Sequence, residues 1–410
     1  MKIAIFSDCY LDLTGGIITS INSQKEELEK LGHTVTIFST AYPKTEAELK
    51  ELAKKNIYVV PSCRFLIRGA TPVSRRPKII EKWLVREHPE IKDYDIYYVH
   101  YESGCSIAGL RLGKKLKIPT VQVMHGREDM GEAMLVPFGF RTIVAALLNW
   151  FHSWYIPHTI NISPDEYLAD TIAKSKMWSL MVNHANYADI VITPSEHMKK
   201  KLQHYGVVRK IDVFPNGLAD RSYPKTVEAK NLEPGHELRM VWHSRVSGEK
   251  RIIPFLKALR RVDGKYRLDV YGGGPDLKKA KRYVKRHKLN VKLHGTTKFE
   301  KVQEAIKNAH LDILVSYNFD NHPLTLVEAE ANAIPVFICD KDMEGLVPPR
   351  SYVLSKDETP ESMADALTEL INTPEKIGKM SRAMIQRREE TLVSNRIPEL
   401  VENFSKLIKK

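Results

Sequence analysis

Cysteine is scarce in this chain, and the few cysteines stand far apart. The 410 residues contain only Cys9, Cys63, Cys105 and Cys339, with no paired or metal-like spacing. This pattern argues against a disulfide framework and against a zinc site. It is typical of a protein that works in a reducing cytosol.

A secretory leader and a long apolar run are absent as well. The chain opens directly on a short strand-like run, Ile3–Phe6, and lacks the regions of a signal peptide. Its most apolar stretch, within residues 133–157, is broken by polar residues and is too short to span a bilayer. We therefore expect a cytoplasmic protein.

The aromatic residues of that stretch leave two interpretations open. Trp150-Phe151 and Trp154-Tyr155 lie on a predicted helix, and aromatic residues on helices usually pack in a core. Trp and Tyr also suit the boundary between lipid and water, which favours an interfacial element. Of the two interpretations, core packing in the first domain is the one that we expect.

Acidic residues are outnumbered by basic ones, which gives a net charge of +13. Such an excess favours anionic partners: nucleic acid, anionic lipid or phosphorylated small molecules. No nucleic-acid-binding module is recognisable, so we expect no nucleic acid partner. Two basic clusters stand out, although solvated surface charge explains either one equally well. They are Arg64, Arg68, Arg75, Arg76, Lys78, Lys82 and Arg86, and Arg111, Lys114, Lys115 and Lys117.

Strand and helix patterns alternate throughout, which predicts α/β domains with parallel sheets covered by helices. The chain is too long for one ordinary core. A turn-like segment, Pro215-Asn216-Gly217, separates two sets of strands, so we place the joint within residues 216–236. The strands are predicted at Lys2–Phe6, Thr34–Phe38, Ile57–Val60, Ile96–Val99, Thr120–Met124 and Ile190–Ile192, and at Arg239–Trp242, Arg267–Tyr271, Val291–Leu293, Leu311–Val315 and Val336–Ile338.

The most informative segment runs from Asp320 to Val336, between two apolar strand-like runs. Pro323 suits the first position of a helix. The amides of Leu324, Thr325 and Leu326 would then be unpaired at a helix start, which favours an anion such as a phosphate. Asp320 precedes this helix. Glu328 follows about one and a half turns into it.

This segment resembles the signature of the retaining glycosyltransferases of family 4. Their motif has two acidic residues separated by seven others, then a helix with small residues, then Gly-x-Pro-Val. The chain departs from it mildly, with Asp320 in place of glutamate and with Ala333 before Ile334-Pro335-Val336. The resemblance implies that Asp320 contacts the donor sugar and that Glu328 holds the ribose hydroxyls.

The resemblance also assigns two cations to the diphosphate of the donor. Arg245 and Lys250 follow a predicted strand and keep the spacing of an arginine and a lysine in the family. Fixed cations can neutralise the charge that develops on a leaving diphosphate. No Asp-x-Asp motif stands in a matching place, so we expect no metal and no cofactor beyond the nucleotide-sugar co-substrate. An exposed basic turn is the alternative for this segment.

Further residues are assigned to the site by position in the family pattern. Gly15 and Gly16 match the glycine loop that faces the diphosphate, and Gly272 and Thr297 match turns beside the donor pocket. His125 closes a strand of the first domain. The family has a histidine at the same strand end, close to the transferred sugar and the acceptor hydroxyl. The neighbours Glu128 and Asp129 either orient an acceptor or cap a helix.

The resemblance implies the GT-B fold: two doubly wound, Rossmann-like domains that face a cleft, with a C-terminal helix crossing back to the first domain. We place an acceptor domain at 1–216, a nucleotide-sugar domain at 217–390 and the crossing helix at 391–410. The opening of the chain, Phe6 through His33, looks most like that of bacterial α-glucosyl diacylglycerol synthases.

The function expected from this resemblance is transfer of a hexose from a nucleotide-diphosphate sugar, such as UDP-glucose, to a membrane lipid such as diacylglycerol. An anionic membrane surface is then a further partner, and the location is cytoplasmic or peripheral on the inner face of the membrane. A soluble or polyprenyl-linked saccharide acceptor is the near alternative. A non-catalytic GT-B partner protein is the alternative from another class, but Arg245, Lys250 and Glu328 are all present.

Overall fold

The computed structural model describes residues 1–8, 15–42, 44–62, 74–127, 129–130 and 136–409. These residues form two compact units. The first comprises Met1–Pro215 together with Arg396–Lys410, and the second comprises Asn216–Asn395. Each unit contains a parallel β-sheet accompanied by helices, so the predicted class of two parallel-sheet α/β domains is confirmed.

Seven parallel strands form the sheet of the first unit. They are β1 (Lys2–Ser7), β2 (Thr34–Ser39), β3 (Ile57–Val59), β4 (Ile96–His100), β5 (Thr120–Val123), β6 (Ile190–Thr193) and β7 (Ile211–Val213). Their order across the sheet is β3-β2-β1-β4-β5-β6-β7. The central strands are buried on both faces, which explains their continuous apolar runs.

Six parallel strands form the sheet of the second unit. They are β8 (Leu238–His243), β9 (Tyr266–Tyr271), β10 (Val291–Gly295), β11 (Leu311–Leu314), β12 (Val336–Ile338) and β13 (Tyr352–Leu354). The order β10-β9-β8-β11-β12-β13 makes β8 and β11 neighbours, although many residues separate them along the chain. The ends of these two strands therefore meet at one place on the edge of the sheet.

Helices follow most of the strands. In the first unit they are α1 (Gly16–Lys30), α2 (Glu46–Ala53), α3 (Pro77–Glu87), α4 (Gly104–Leu116), α5 (Arg141–Ser153), α6 (Ile172–Tyr187) and α7 (Glu196–His204). Those that follow are α8 (Ile252–Leu259), α9 (Leu277–His287), α10 (Phe299–Asn308), α11 (Leu324–Ala331), α12 (Pro360–Asn372), α13 (Glu375–Arg387) and α14 (Val393–Ile408). None of the helices in the described part of the chain combines the length and apolar character needed to cross a membrane.

Each unit has its own hydrophobic core beside its sheet. In the first, Phe6 stacks against Phe38 and tilts against Tyr97. In the second, Trp242 and Phe337 pack on Phe255 of α8. Residues of these kinds contribute roughly 1.5–3 kcal/mol each when they are fully buried. Each sheet is therefore held by apolar contacts within its own unit.

The C-terminal helix α14 ends in the first unit, as the sequence predicted. The ring of Phe404 meets that of Tyr98 edge to face, with centroids 5.2 Å apart. The hydroxyl of Ser405 contacts the sulfur of Met1. The end of the chain is thus packed beside its beginning.

The expectation that the aromatic stretch packs in a core is wrong for much of helix α5. Ile143, Leu147, Trp150 and Trp154 recur at intervals of three and four residues and are 52–58% exposed. This spacing places them on one face of the helix. The residue after Trp154, Tyr155, is buried, and within α5 Ala145 is buried in a cluster with Ala173 and Met177. The core interpretation therefore holds for part of the stretch.

The buried side of α5 carries polar groups, which explains why many of its apolar side chains face outward. Asn149 donates a hydrogen bond to the backbone carbonyl of Lys176 on α6, at 2.6 Å. His152 lies 3.0 Å from His184, Nε2 to Nδ1, on the same neighbouring helix. Buried polar groups need hydrogen-bond partners, and α6 supplies them. The apolar stripe is left on the outside.

Candidate active site

The loop after β8 is fixed by close backbone packing against a glycine turn. Gly272 and Gly274 have φ angles of +143° and +152°. A Cβ on Gly272 would lie 2.1 Å from the carbonyl oxygen of Ser244, and one on Gly274 would lie 2.3 Å from that of Val246. Glycine is therefore needed here for packing as well as for backbone conformation. The predicted donor contact of Gly272 stays a prediction.

This loop presents Arg245 to solvent. The Arg245 side chain is 61% exposed, and its Nη2 lies 2.9 Å from Oε1 of Glu249. The Glu249 carboxylate is buried and also accepts a hydrogen bond from the Ser247 hydroxyl, at 2.5 Å. Glu249 thus anchors the guanidinium while most of it stays accessible.

The second predicted cation, Lys250, is paired with one of the predicted acids. Its Nζ lies 2.6 Å and 2.7 Å from the two oxygens of Asp320. The Ser316 hydroxyl also donates to this carboxylate. Both charged side chains are largely shielded, at 13% and 10% exposure. An ammonium group has three donors, so Lys250 keeps one for a further acceptor.

Glu328 enters the site through an ion pair that the sequence did not predict. His243, the last residue of β8, places Nδ1 3.0 Å from Oε2 of Glu328 and Nε2 2.5 Å from Oδ2 of Asp312. Burial alone would lower the pKa of His243. The charges and hydrogen bonds of Asp312 and Glu328 outweigh burial and raise that pKa to about 10. The imidazole is therefore a buried cation at neutral pH.

The start of helix α11 differs slightly from the prediction. Pro323 is the N-cap, and the helix begins at Leu324, one residue later than expected. The amide of Leu326 donates to the Pro323 carbonyl at 3.1 Å, so its predicted availability is wrong. Among the residues that the structure describes, no side chain caps this helix start. Leu324 and Thr325 supply its first amides, and their donor contact stays a prediction.

The remaining donor-side positions lie at strand ends or helix starts. Gly15 is the N-cap of α1 and Gly16 its first residue. No described atom lies within 4 Å of a Cβ built on Gly15. Thr297 follows β10, and its hydroxyl is buried without a hydrogen-bond partner among the described residues. These contacts leave the assigned roles of Gly15, Gly16 and Thr297 as predictions.

His125 follows β5 in the first unit and stacks on a second histidine. Its Nε2 lies 2.7 Å from Nδ1 of His100, the last residue of β4, with ring centroids 5.0 Å apart. Burial lowers the pKa of His125 to about 4. Burial and the nearby His125 lower the pKa of His100 as well. Both rings are therefore neutral at physiological pH.

The two acids after His125 differ in how far the structure describes them. Asp129 is fully buried and forms an ion pair with Arg127, with Nη2 and Oδ2 2.6 Å apart. Glu128 lies outside the described residues, as do Arg64 and Arg68 of the first basic cluster. The described chain contains no group of three or more His, Cys, Asp or Glu side chains suited to holding a metal ion.

Comparison with known proteins identifies related sequences for both units. Residues 14–222 match the family described as Glycosyltransferase Family 4, and residues 225–390 match the one described as Glycosyl transferases group 1. An alpha-monoglucosyldiacylglycerol synthase of Streptococcus pneumoniae is 25% identical over 358 residues, or 82% of this chain and 70% of that protein. A protein of the same name from Acholeplasma laidlawii is 23% identical over 354 residues, or 82% and 80%.

One solved structure extends the likeness to the three-dimensional fold. TarM from S. aureus, a mutant in complex with fondaparinux, alpha-GlcNAc-glycerol and UDP, matches with a TM-score of 0.69 and 14% identity. The match covers 100% of both chains. At this identity the likeness concerns the fold alone.

Proposed function

This chain belongs to glycosyltransferase family 4, as its sequence predicted, and on that premise we propose that it glycosylates a membrane lipid. The donor is a nucleoside-diphosphate hexose, UDP-glucose or similar, and the acceptor is a hydroxyl group such as that of diacylglycerol. The observation that carries the proposal is the match to two alpha-monoglucosyldiacylglycerol synthases over 82% of the chain.

The proposed reaction exchanges one bond at the anomeric carbon of the hexose. The acceptor oxygen forms a bond to that carbon, the bond to the diphosphate breaks, and the hydroxyl proton leaves with the diphosphate. The anomeric configuration is retained. Charge develops on the leaving diphosphate, and Arg245 and Lys250 are the cations proposed to stabilise it.

The contacts of Arg245 and Lys250 suit the proposed binding of the diphosphate. Arg245 is mostly exposed, so a diphosphate can reach it without displacing Glu249. Lys250 has one donor beyond the two that contact Asp320, so it can bridge the diphosphate and this carboxylate. Asp320 is the group proposed to contact the donor sugar. The ion pair would then hold the leaving group and the sugar in a fixed relation.

The proposed role of His125 is to contact the transferred sugar and the acceptor hydroxyl. A neutral imidazole has one donor and one acceptor nitrogen. Because burial lowers the pKa of His125 to about 4, the ring keeps this neutral form at pH 7. It can therefore hydrogen-bond a hydroxyl group without adding a charge.

The surface of the first unit supports a lipid acceptor. Helix α3 exposes Lys78, Lys82 and Arg86 together with the apolar side chains of Ile79 and Val85. Cations interspersed with apolar groups are typical of helices that lie on an anionic membrane. We propose that this face is part of a peripheral membrane-binding surface.

We propose that the apolar stripe of α5 belongs to the same surface, because one arginine contacts both α3 and the end of the α5 segment. Arg111 on α4 contacts Glu81 of α3 at 2.6 Å and donates to the carbonyl of Tyr155, just after α5, at 2.8 Å. Trp154 is adjacent to that residue and 52% exposed. Basic and aromatic groups thus occur on neighbouring elements.

The test is a transfer assay with a panel of sugar nucleotides and with diacylglycerol in anionic vesicles. The proposal expects a hexosyl diacylglycerol whose anomeric configuration matches that of the donor. The same donors are offered with soluble saccharides and polyprenyl-linked saccharides in parallel. Transfer to a saccharide but not to diacylglycerol would overturn the lipid acceptor. An inverted product would overturn retention.

A further inference from the structure

Glu328 is held by a chain of two further side chains from neighbouring strands. His243 at the end of β8 contacts Oε2 of Glu328, and Asp312 in β11 contacts the far nitrogen of the same ring. The three residues come from β8, β11 and α11, which the sheet order brings together. The His243 and Asp312 side chains are only 3% and 1% exposed.

Both ring nitrogens face carboxylates, which fixes the protonation of the chain. A neutral imidazole can donate from only one nitrogen, whereas an imidazolium donates from both. The two short contacts therefore favour the charged ring with two protons. The imidazolium thus lies between two carboxyl groups, and Glu328 is the one at the accessible end.

The chain leaves one oxygen of Glu328 available. The Glu328 side chain is 17% exposed, whereas its two partners are almost completely buried. Within the described parts of the chain, its hydrogen bonding is confined to Oε2, and Oε1 contacts no donor. One oxygen is thus fixed by the protein, and the other can accept hydrogen bonds from a ligand.

We propose that His243, oriented by Asp312, is a positioning residue that holds the Glu328 carboxylate for the ribose hydroxyls of the donor. This inference rests on the proposed function, in which Glu328 binds the ribose. It adds that the acid must be aligned by a buried cation. Without the imidazolium, the carboxylate loses its fixed orientation, and its like-charged neighbour Asp312 is left unpaired.

The experiment compares the binding of UDP with that of 2′,3′-dideoxyuridine diphosphate, which lacks both ribose hydroxyls. Calorimetric titration gives the ratio of the two dissociation constants for the intact chain and for each variant. Because a hydrogen bond to a charged group is lost in the dideoxy compound, we expect the unmodified protein to prefer UDP by at least about tenfold. Glu328→Gln should reduce this preference.

His243→Asn and Asp312→Asn should reduce the preference for UDP as well. In His243→Asn the two dissociation constants should differ by no more than about threefold. Asp312→Asn keeps the shape of the side chain, so it tests the chain even if His243→Asn folds poorly. In transfer assays both variants should raise KM for the donor and leave kcat within about threefold, because the lost contact is made before and during the reaction alike.

Glu330→Gln is the matched control, because it also removes a buried ion pair of α11. Glu330 pairs with Arg387, Oε1 to Nε, at 2.9 Å. This variant should keep the full preference for UDP. A purely structural role for His243 would lower stability in His243→Asn and Asp312→Asn but leave their ratio of dissociation constants unchanged.

The outcomes separate the inference from the proposed function. If Glu328→Gln loses the preference and His243→Asn and Asp312→Asn keep it, the positioning role is overturned and the ribose contact stands. If the unmodified protein binds both nucleotides equally, the ribose contact itself is overturned, and the positioning role with it. Lipid glycosylation is then still decided by the transfer assay.

Discussion

Lys250 and Asp320 form a two-fold contact, in which the Nζ atom lies 2.6 Å and 2.7 Å from the two carboxylate oxygens. The family resemblance implies that Lys250 contacts the donor diphosphate and that Asp320 contacts the donor sugar. Because the two side chains are paired, a substitution at either residue removes an ionic partner of the other. An ion pair this well shielded is screened less by salt than a surface pair.

We expect Asp320→Asn to lower turnover while preserving the affinity for UDP. The amide removes the charge that competes for Lys250, so the diphosphate can bind at least as well. It also weakens a contact near the reacting carbon, which should lower kcat by about tenfold or more. Titration of UDP and steady-state kinetics measure the two effects separately. Parallel losses of affinity in Asp320→Asn and Glu328→Gln would contradict the division of roles.

Arg245→Ala should impair catalysis far more than folding. The side chain is 61% exposed, and exposed ion pairs contribute roughly 0–1 kcal/mol to stability. Loss of a charge-stabilising donor typically lowers kcat by about a hundredfold or more. The matched control is Arg261→Ala, which removes another exposed arginine with a carboxylate partner, Glu361. A near-normal rate in Arg245→Ala would refute the assignment.

Most strands could be predicted because parallel strands buried on both faces have continuous apolar runs. The run from Ile3 to Phe6 shows this, since all its residues are fully buried. The two strands that were missed, β7 and β13, are three-residue edge strands with partly buried residues. Three residues are too few to establish a strand pattern by themselves, and in β7 Asp212 interrupts the apolar run. The equally short edge strand β3 was predicted because its apolar run continues to Val60.

The partners within the site could not be predicted, because they depend on the order of strands across the sheet. Lys250 and Asp320 are 70 residues apart, and only the adjacency of β8 and β11 brings their loops together. Asp312 did give a signal: it is an acid within the apolar run Leu311–Val315, and a buried charge needs a partner. His243 is that partner.

The outward face of α5 escaped prediction for a similar reason. Its apolar residues have helical periodicity, which indicates an amphipathic helix but not which face is inward. The inward face is set by Asn149 and His152, whose partners on α6 follow later in the chain. Tertiary contacts decide the orientation, and they include the burial of Ala145 in a cluster with Ala173 and Met177 of α6.

Activity should not require a divalent metal ion. In the proposed mechanism Arg245 and Lys250 supply the positive charge at the diphosphate, and the described residues include no metal-binding group of acids, histidines or cysteines. We expect the transfer rate to change less than about twofold in excess chelator, since no metal-dependent charge stabilisation is removed. Complete loss of activity in chelator, with recovery on addition of Mg²⁺ or Mn²⁺, would disprove this prediction.

Stability should depend on the charge of His243 on the alkaline side. The pKa of this group is about 10 in the folded chain and about 6.5 when it is unfolded. A raised folded pKa contributes stability fully below pH 6.5, and this contribution is lost as the pH rises towards 10. The free energy of unfolding should therefore differ between the unmodified chain and His243→Asn by about 3 kcal/mol near pH 6.5, and by less at pH 10.

Urea unfolding at several pH values between 6.5 and 10 measures this difference. Glu330→Gln serves as the control, because the hydrogen bonds and charge of Glu330 raise the pKa of Arg387 even though burial opposes them. Arg387 stays charged throughout the window, so the gap between Glu330→Gln and the unmodified chain should stay constant. A gap for His243→Asn that is equally constant would show that the imidazole is not the titrating cation.

The proposed membrane-binding surface should respond to two kinds of substitution in different ways. Trp150 and Trp154 are 55% and 52% exposed, and their transfer into lipid buries apolar area. Replacing both by Ser should weaken binding to anionic vesicles at least about tenfold at low and at high salt. Val208→Ser, at an 82% exposed apolar site elsewhere in the first unit, is the control and should bind normally.

Charge reversal on α3 should weaken binding only at low salt. Lys82 is exposed, and each basic side chain near an anionic surface contributes about 1 kcal/mol. Reversal to glutamate adds repulsion, so Lys82→Glu should lower binding by roughly tenfold or more at low salt, an effect that screening removes. Lys200→Glu, an equal change at an exposed position of α7, should have little effect. Co-sedimentation with vesicles of varied anionic content measures this, and equal losses in both variants would mean that overall charge, rather than the α3 face, drives attachment.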